Sequence, residues 1–346
     1  VPATGARASS PPLARSASAD LLVLRALGLG DLLTGLPALR ALARAFPDRR
    51  LVLAAPAALA PLVALVLAGC ELIDVPAWVG ADGRPDAAAA ERLPRGAVAV
   101  NLHGRGPHSH RLLLAADPVR LVAFAHPDVP ASAGGPAWHE REHEVARWCR
   151  MLREQGIPAD PTALDLAPPD GIERGPEGPT LIHPGAASAA RRWPPARWAA
   201  VALGERVRGR RVLLSGSAAE APLALRIAAE AGLSPQDVSA GRTDRDLAAL
   251  VALVAGAGRV VCGDTGVAHL ATALRVPSVV LFGPTDPAGW GPPPERPWHR
   301  ALWCGRRGDP HAASPDPGLL QLGVADVLDA LSELPEPAPR RGPPAR

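Results

Sequence analysis

At 346 residues and 47% apolar, the chain is long enough for two domains with sizeable cores. Its formal charge of +3 is too mild to argue for a nucleic-acid partner, and all 37 of its basic residues are arginine. Cys70, Cys149, Cys262 and Cys304 form no Cys-x-x-Cys pair, which speaks against a zinc ribbon or a disulfide framework.

Residues 1–19, rich in Pro, Ser and Ala, read as a disordered tail. They make a poor signal peptide, because Arg25 and Asp31 break the apolar run that follows. Leu21–Arg25 is an apolar strand, then comes Gly28-Leu29-Gly30-Asp31 and a helix to about Phe46 with Leu32, Leu33, Leu36, Leu39 and Leu42 on its core face. Leu51–Cys70 carries no charge, yet Pro56 and Pro61 divide it into a strand, Leu51–Ala55, and a short helix rather than a membrane span. Further strands are expected at Ala97–Leu102 and Arg120–Phe124, and a helix over Trp138–Gln155 stopped by Gly156-Ile157-Pro158. A proline-rich stretch, 159–178, reads as a linker. A second series follows, with strands Thr180–His183, Arg211–Ser215, Arg259–Cys262 and Ser278–Phe282. Its helices are Ala196–Glu205, Ala221–Ala231, Asp246–Ala255 and Val267–Leu274. The expected organisation is α/β, with doubly wound domains at 20–158 and 179–334, a cleft between them as ligand site, and a disordered tail at 335–346.

The most informative stretch is Val260–Trp290. There a strand runs into Gly263-Asp264-Thr265-Gly266, a helix, a second apolar strand and a Gly-Pro-Thr-Asp turn. Such loops lie at the carboxyl edge of a parallel sheet, and a helix starting near Val267 would aim free N–H groups at an anion. His269, in the first turn of that helix, reads as functional.

Gly28 and Gly30 sit where a dinucleotide fingerprint would, but the third glycine is replaced by Leu33, which disfavours a dehydrogenase. They serve a tight turn with Asp31 as a helix cap, or Asp31 is a general base at the cleft. His183-Pro184-Gly185-Ala186 follows a strand, and Arg191-Arg192 stands near the next helix start, where cations oppose the helix dipole unless an anion is bound. Without lysine, an arginine there would contact phosphate. Glu220, after Ser215-Gly216-Ser217, is a ribose ligand or a capping residue. Thr243-Asp244-Arg245-Asp246 reads as a helix cap, and no carboxylate cluster has metal spacing. The histidines at 108, 110, 139, 143, 299 and 311 show no partner pattern.

Together these segments resemble glycosyltransferase family 9, the ADP-heptose:lipopolysaccharide heptosyltransferases. The matching pieces are LLVLRALGLGDLLTGLPALRALARAFPD, NLHGRG, WHEREHEVARWCRMLREQGI, LIHPGAASAARRWPPARWAAVA, LLSGSAAE and GDTGVAHLATALRVPSVVLFGPTDPAGWGP, in family order. The resemblance implies a GT-B fold, two Rossmann-like domains facing across a cleft, and inverting sugar transfer from an ADP-activated heptose with no metal and no cofactor. By position, Asp31 resembles the general base and Arg191 falls where the family has a phosphate-binding lysine. Glu220 resembles a ribose ligand, and Asp264, Thr265, Gly266 and His269 the diphosphate and sugar site. Gly28, Gly30, His183 and Gly185 complete the expected substrate-binding set. Ala186 and Ala187 depart from the family, which has polar residues after the His-Pro-Gly turn. The partners implied are a nucleotide-diphosphate sugar and a glycan, glycolipid or small-molecule acceptor. The place of work is cytoplasmic, with peripheral membrane contact if the acceptor is a lipid. The alternatives are a transferase using another nucleotide sugar and a non-catalytic nucleotide-sugar-binding protein.

Overall fold

The computed structural model describes residues 20–75, 87–172, 178–241 and 247–335. The tail at 1–19, most of the one expected from 335 and the Thr243–Asp246 motif therefore lie outside the described residues. By its contacts the chain divides into two units. The first comprises residues 1–27, 35–140 and 145–163, and the second comprises residues 28–34, 141–144 and 164–346.

The first unit is built on β1 (Leu21–Leu24), the body of α1 (Leu29–Ala45), β2 (Leu51–Ala55), α2 (Ala60–Val66) and β3 (Glu71–Asp74). It continues with α3 (Ala87–Arg92), β4 (Val98–Asn101), α4 (His108–Ala115), β5 (Arg120–Val122) and α5 (Glu144–Glu154). Its strands are parallel in the order β3-β2-β1-β4-β5. β1, β2 and β4 are buried along their whole length. A strand covered on both faces must be apolar at every position, which is why these segments read as unbroken hydrophobic runs. No helix among the described residues is long and apolar enough to cross a membrane. The uncharged run from Leu51 is instead β2 and α2.

The expected helix from Trp138 forms only from Glu144. The preceding residues are irregular because Trp138 packs edge-on against Phe124, with ring centroids 5.1 Å apart, and Arg147 stacks 4.2 Å over its ring. At the end of β1, Arg25 is fully buried. Its guanidinium donates to the Leu102 carbonyl and lies 5.2 Å from the Trp148 ring centroid. Gly35 makes room for it, since a Cβ there would stand 2.6 Å from Arg25 Nε. Beyond β4, Asn101 Nδ2 donates to Ser109 Oγ at 2.8 Å and to His110 Nδ1 at 2.9 Å. That leaves His110 Nε2 to donate to the Phe124 carbonyl at 2.8 Å, so His110 is a structural residue.

The second unit contains β6 (Thr180–His183), α6 (Pro195–Val207), β7 (Val212–Leu214), α7 (Ala221–Glu230), α8 (Leu247–Gly256) and β8 (Arg259–Gly263). It goes on with α9 (Gly266–Ala273), β9 (Ser278–Leu281), α10 (Pro287–Trp290), β10 (His299–Leu302) and α11 (Val324–Ser332). The parallel order is β10-β9-β8-β6-β7. Strand order reverses between β6 and β8, so the loops leaving these two strands diverge at the carboxyl edge, where open α/β sheets bind ligands. The core joins Trp193 and Trp198, edge-on at 5.0 Å, to Val212, Val279, Leu281 and Leu331. Trp193 Nε1 donates to the Leu322 carbonyl at 3.1 Å, tying α6 to the segment before α11. β3, α4, β10 and α11 were not expected from the sequence. β3 and β10 are edge strands with exposed positions, so they lack the apolar run that marks the others.

Gly35→Ala places a good helix former inside α1, normally a gain of about 1 kcal/mol. Here the added methyl meets Arg25, and overpacking of this kind costs about 1–3 kcal/mol. We expect a net loss of up to about 2 kcal/mol, measured by urea denaturation; a gain would mean that Arg25 moves freely.

Burial, with the Arg25 cation adding to it, pushes His103 down to about 4. Burial first and Arg296 second push His299 down to about 3. Protons therefore bind the unfolded chain, with pKa near 6.5, before they bind the folded one, and stability falls as pH drops from 6.5 to about 4. The check is the slope of unfolding free energy against pH, which flattens in a His103→Asn/His299→Asn variant whatever its absolute stability.

Candidate functional site

The loop after β8 is the floor of the site. Asp264 is buried, with its backbone N–H on the Leu281 carbonyl at 3.1 Å. Thr265 is extended at φ −144° and caps α9, which starts at Gly266. The first N–H groups of α9 are unmatched within the helix and carry its positive end.

The neighbouring loop, after β6, supplies the cation. Arg191 closes a short 3-10 turn, Ala189–Arg191, and does not sit on α6, which begins at Pro195. Its guanidinium donates to the Asp264 backbone carbonyl at 3.0 Å and lies 4.0 Å from the Asp264 carboxylate. Its Nε is buried without a hydrogen-bond partner among the described residues. A buried donor left unmatched is costly, and an anion bound beside it would remove the penalty. Arg192 has a different task, for its Nε donates to the Ala186 carbonyl at 2.9 Å and braces the turn.

On the β7 side, Glu220 is a capping residue and a lining residue at once. Its Oε2 accepts from the Ser217 N–H at 2.8 Å and the Ser217 hydroxyl at 2.9 Å. Gly185 leaves the space that this carboxylate occupies, since a Cβ there would collide with Glu220 Oε1. His183 Nδ1 meets Ser215 Oγ at 3.1 Å. Burial holds the His183 pKa below the usual histidine value, with the Glu220 carboxylate opposing that shift.

Residues 28–34, the opening of α1, complete the second unit's site. Asp31 is in the first turn rather than at the cap, and its Oδ2 accepts the Gly28 N–H at 3.2 Å. A Cβ on Gly30 would stand 2.7 Å from His269 Cδ2, and one on Gly266 would stand 2.9 Å from Leu29 Cβ. Glycine at 30 and 266 is thus what permits this close packing. The His269 ring meets Trp290 edge-on, with centroids 6.1 Å apart.

These groups surround one cavity of about 610 Å3. Asp31, Gly28, Gly30, His183, Arg191, Glu220, Asp264, Thr265, Gly266 and His269 all line it. Gly185 stands behind, shaping Glu220. Sequence reasoning did not single out Thr285, Trp290, Pro310 and His311, which also line it. Thr285 and Trp290 follow β9, the strand beside β8, so that adjacency was the available signal. His311, set aside as lacking a partner pattern, is on the wall of the cavity. No local pattern marks it, because it arrives on a loop after β10. Among the described residues, no group of three or more His, Cys, Asp or Glu side chains is placed to hold a metal ion.

Comparison with known proteins agrees with this geometry. Residues 141–308 match the family described as glycosyltransferase family 9 (heptosyltransferase). The lipopolysaccharide heptosyltransferase 1 of Pseudomonas aeruginosa is 39% identical over 140 residues, which is 40% of this chain and 34% of that protein. The matched stretch thus spans about a third of that relative. Among solved structures, E. coli ADP-heptose lps heptosyltransferase II has a TM-score of 0.68 at 22% identity, covering 90% of this chain and 97% of its own. A family 9 glycosyl transferase from Veillonella parvula has a TM-score of 0.72 at 18% identity, covering 91% and 96%. E. coli heptosyltransferase WaaC, solved with ADP, has 0.66 at 22%, covering 91% and 99%. At these identities the likeness speaks for the fold, the α/β GT-B class with its two Rossmann-like domains. Over residues 141–308, where the sequence match is direct, this chain is similar to glycosyltransferase family 9.

Proposed function

We propose that the protein is an inverting glycosyltransferase that moves a heptose, or a related sugar, from an ADP-activated donor to a hydroxyl of a glycan or glycolipid, without a metal ion. The observation that carries this reading is that one cavity holds the Asp31 carboxylate, the Arg191 guanidinium with its unmatched Nε, and the start of α9.

The chemistry follows from what each group does. The acceptor oxygen attacks the anomeric carbon from the face opposite the diphosphate, and its proton passes to Asp31. The bond from that carbon to the diphosphate oxygen breaks, and the electron pair leaves with the phosphate. Charge then grows on the leaving diphosphate, where Arg191, the N–H groups of α9 and His269 stabilise it in place of a metal ion. Arg191 serves this role as a permanent charge, presenting a planar fork where a lysine would present a point. Glu220, held by Ser217, accepts from the ribose hydroxyls. The ADP part of the donor reading rests on the relatives, since a structural neighbour was solved with ADP-2-deoxy-2-fluoro heptose. Transfer to a glycolipid would place the enzyme at the inner face of a membrane.

The deciding measurement is turnover of ADP-heptose and a panel of other nucleotide sugars by the wild type and Asp31→Asn. We expect ADP-heptose to be turned over in the presence of a chelator. Asp31→Asn should lower kcat by about 10²–10⁴-fold while ADP still binds. Binding in both proteins with transfer in neither would establish the non-catalytic reading instead. Turnover of a different nucleotide sugar alone would change the donor.

Gly185→Ala tests the Glu220 assignment separately. The new methyl group must displace the Glu220 carboxylate, so the KM for the donor rises about tenfold or more while affinity for inorganic pyrophosphate is kept. Equal losses for both ligands would show that the whole loop had moved.

A further inference from the structure

The wall of the cavity formed by Ala186 and Ala187 has no polar side chain. The other walls offer three carboxylates, Asp31, Glu220 and Asp264, against one guanidinium, and that guanidinium already faces Asp264. This is a poor balance for holding a diphosphate. The loop after β10 brings the remaining lining histidine, His311.

That loop is fixed to the turn that carries Arg191. Ala312 O accepts the Ala190 N–H at 3.2 Å and the Ser188 hydroxyl at 3.4 Å. Asp316 N–H returns a bond to Ala190 O at 3.0 Å. Asp309 Oδ1 accepts the His311 backbone N–H at 2.8 Å. At the loop's start, Gly308 N–H donates to Pro284 O at 3.0 Å. A Cβ at Gly308 would approach Asp316 Oδ2 to 2.5 Å. The imidazole is therefore carried on backbone pinned at one end to the loop after β9 and at the other to the phosphate-side turn, not on a free surface loop. The sequence match to the family ends at residue 308, so this piece of wall lies beyond it.

We propose that His311 is a further ligand-binding residue, donating a ring N–H to a phosphate oxygen of the bound nucleoside diphosphate on the side where Ala186 and Ala187 offer nothing. An imidazole has one N–H donor in either neutral tautomer and two when protonated, so it can serve at any pH. The proposal rests on the reading of the cavity as a nucleoside-diphosphate site.

The test is calorimetric titration of ADP, UDP, GDP, adenosine and inorganic pyrophosphate into the wild type, His311→Ala, His311→Gln, His311→Asn and Arg191→Ala. Exposure of His311 makes misfolding of these variants easy to exclude by their melting temperatures. We expect His311→Ala to weaken ADP about tenfold, equivalent to about 1.4 kcal/mol, with adenosine unchanged. Either Gln or Asn, whose amide N–H reaches near one ring nitrogen, recovers most of the loss. An ADP affinity within twofold of wild type in His311→Ala, while Arg191→Ala loses it, overturns the role of His311 and leaves the diphosphate site standing. If the wild type prefers UDP or GDP, the same comparison is made with that nucleotide, and only the donor assignment falls. If the wild type binds no diphosphate and no pyrophosphate, both readings fall.

Discussion

Arg191 and Asp264 set the terms of the cavity. A guanidinium lying against a buried aspartate and the carbonyl beside it is held at the mouth of two loops, and both loops leave strands at the point where the sheet order reverses. That pairing fixes the head group without satisfying all of it, since Nε has no partner among the described residues. A fully paired arginine would be a structural clamp. One with an unmatched buried donor, next to the start of a helix, is a place where negative charge is welcome.

Around that centre the glycines act by what they leave out. Gly185 leaves space that the Glu220 carboxylate occupies, Gly30 leaves space for His269, and Gly266 leaves space for Leu29. In the first unit Gly35 does the same for the buried Arg25. These four positions look alike in sequence only in being glycine. Three are near phosphate-type loops, where glycine is expected for turns, but none of the four has the positive φ that a turn would demand. Close approach, not backbone conformation, is their reason.

Most of the fold was legible because parallel strands buried on both faces write themselves as apolar runs: LLVL and LVLAA are continuous. The edge strand Glu71–Asp74, with its charged ends and partial exposure, carries no such signature. The lining of the cavity divides in the same way. Residues that close or follow a central strand, such as His183 at the end of β6 and Asp264 after β8, are announced by that strand. His311 is announced by nothing local, since long-range bonds, such as those from Ala190 and Ser188 to Ala312, bring its loop to the wall. Local pattern did not separate Arg191 from Arg192, and the family resemblance singled out Arg191; the hydrogen bonds distinguish the two, Arg191 donating to the Asp264 carbonyl and Arg192 bracing the turn.

Two of the cavity's three carboxylates share a feature whose consequence is entropic. Asp31 accepts from the Gly28 N–H and Glu220 from the Ser217 N–H, each across three residues at the start of its own helical segment. A free glutamate loses up to about 2 kcal/mol of rotamer freedom when it is immobilised, and an aspartate loses less. Here that loss is incurred when the chain folds, not when the ligand arrives. In the proposed reaction both side chains would meet the ligand already oriented, so more of the contact energy would remain available for affinity and for alignment of the reacting groups. The helix starts thus double as rotamer locks, and loosening either one would weaken binding without removing a single atom that touches the ligand.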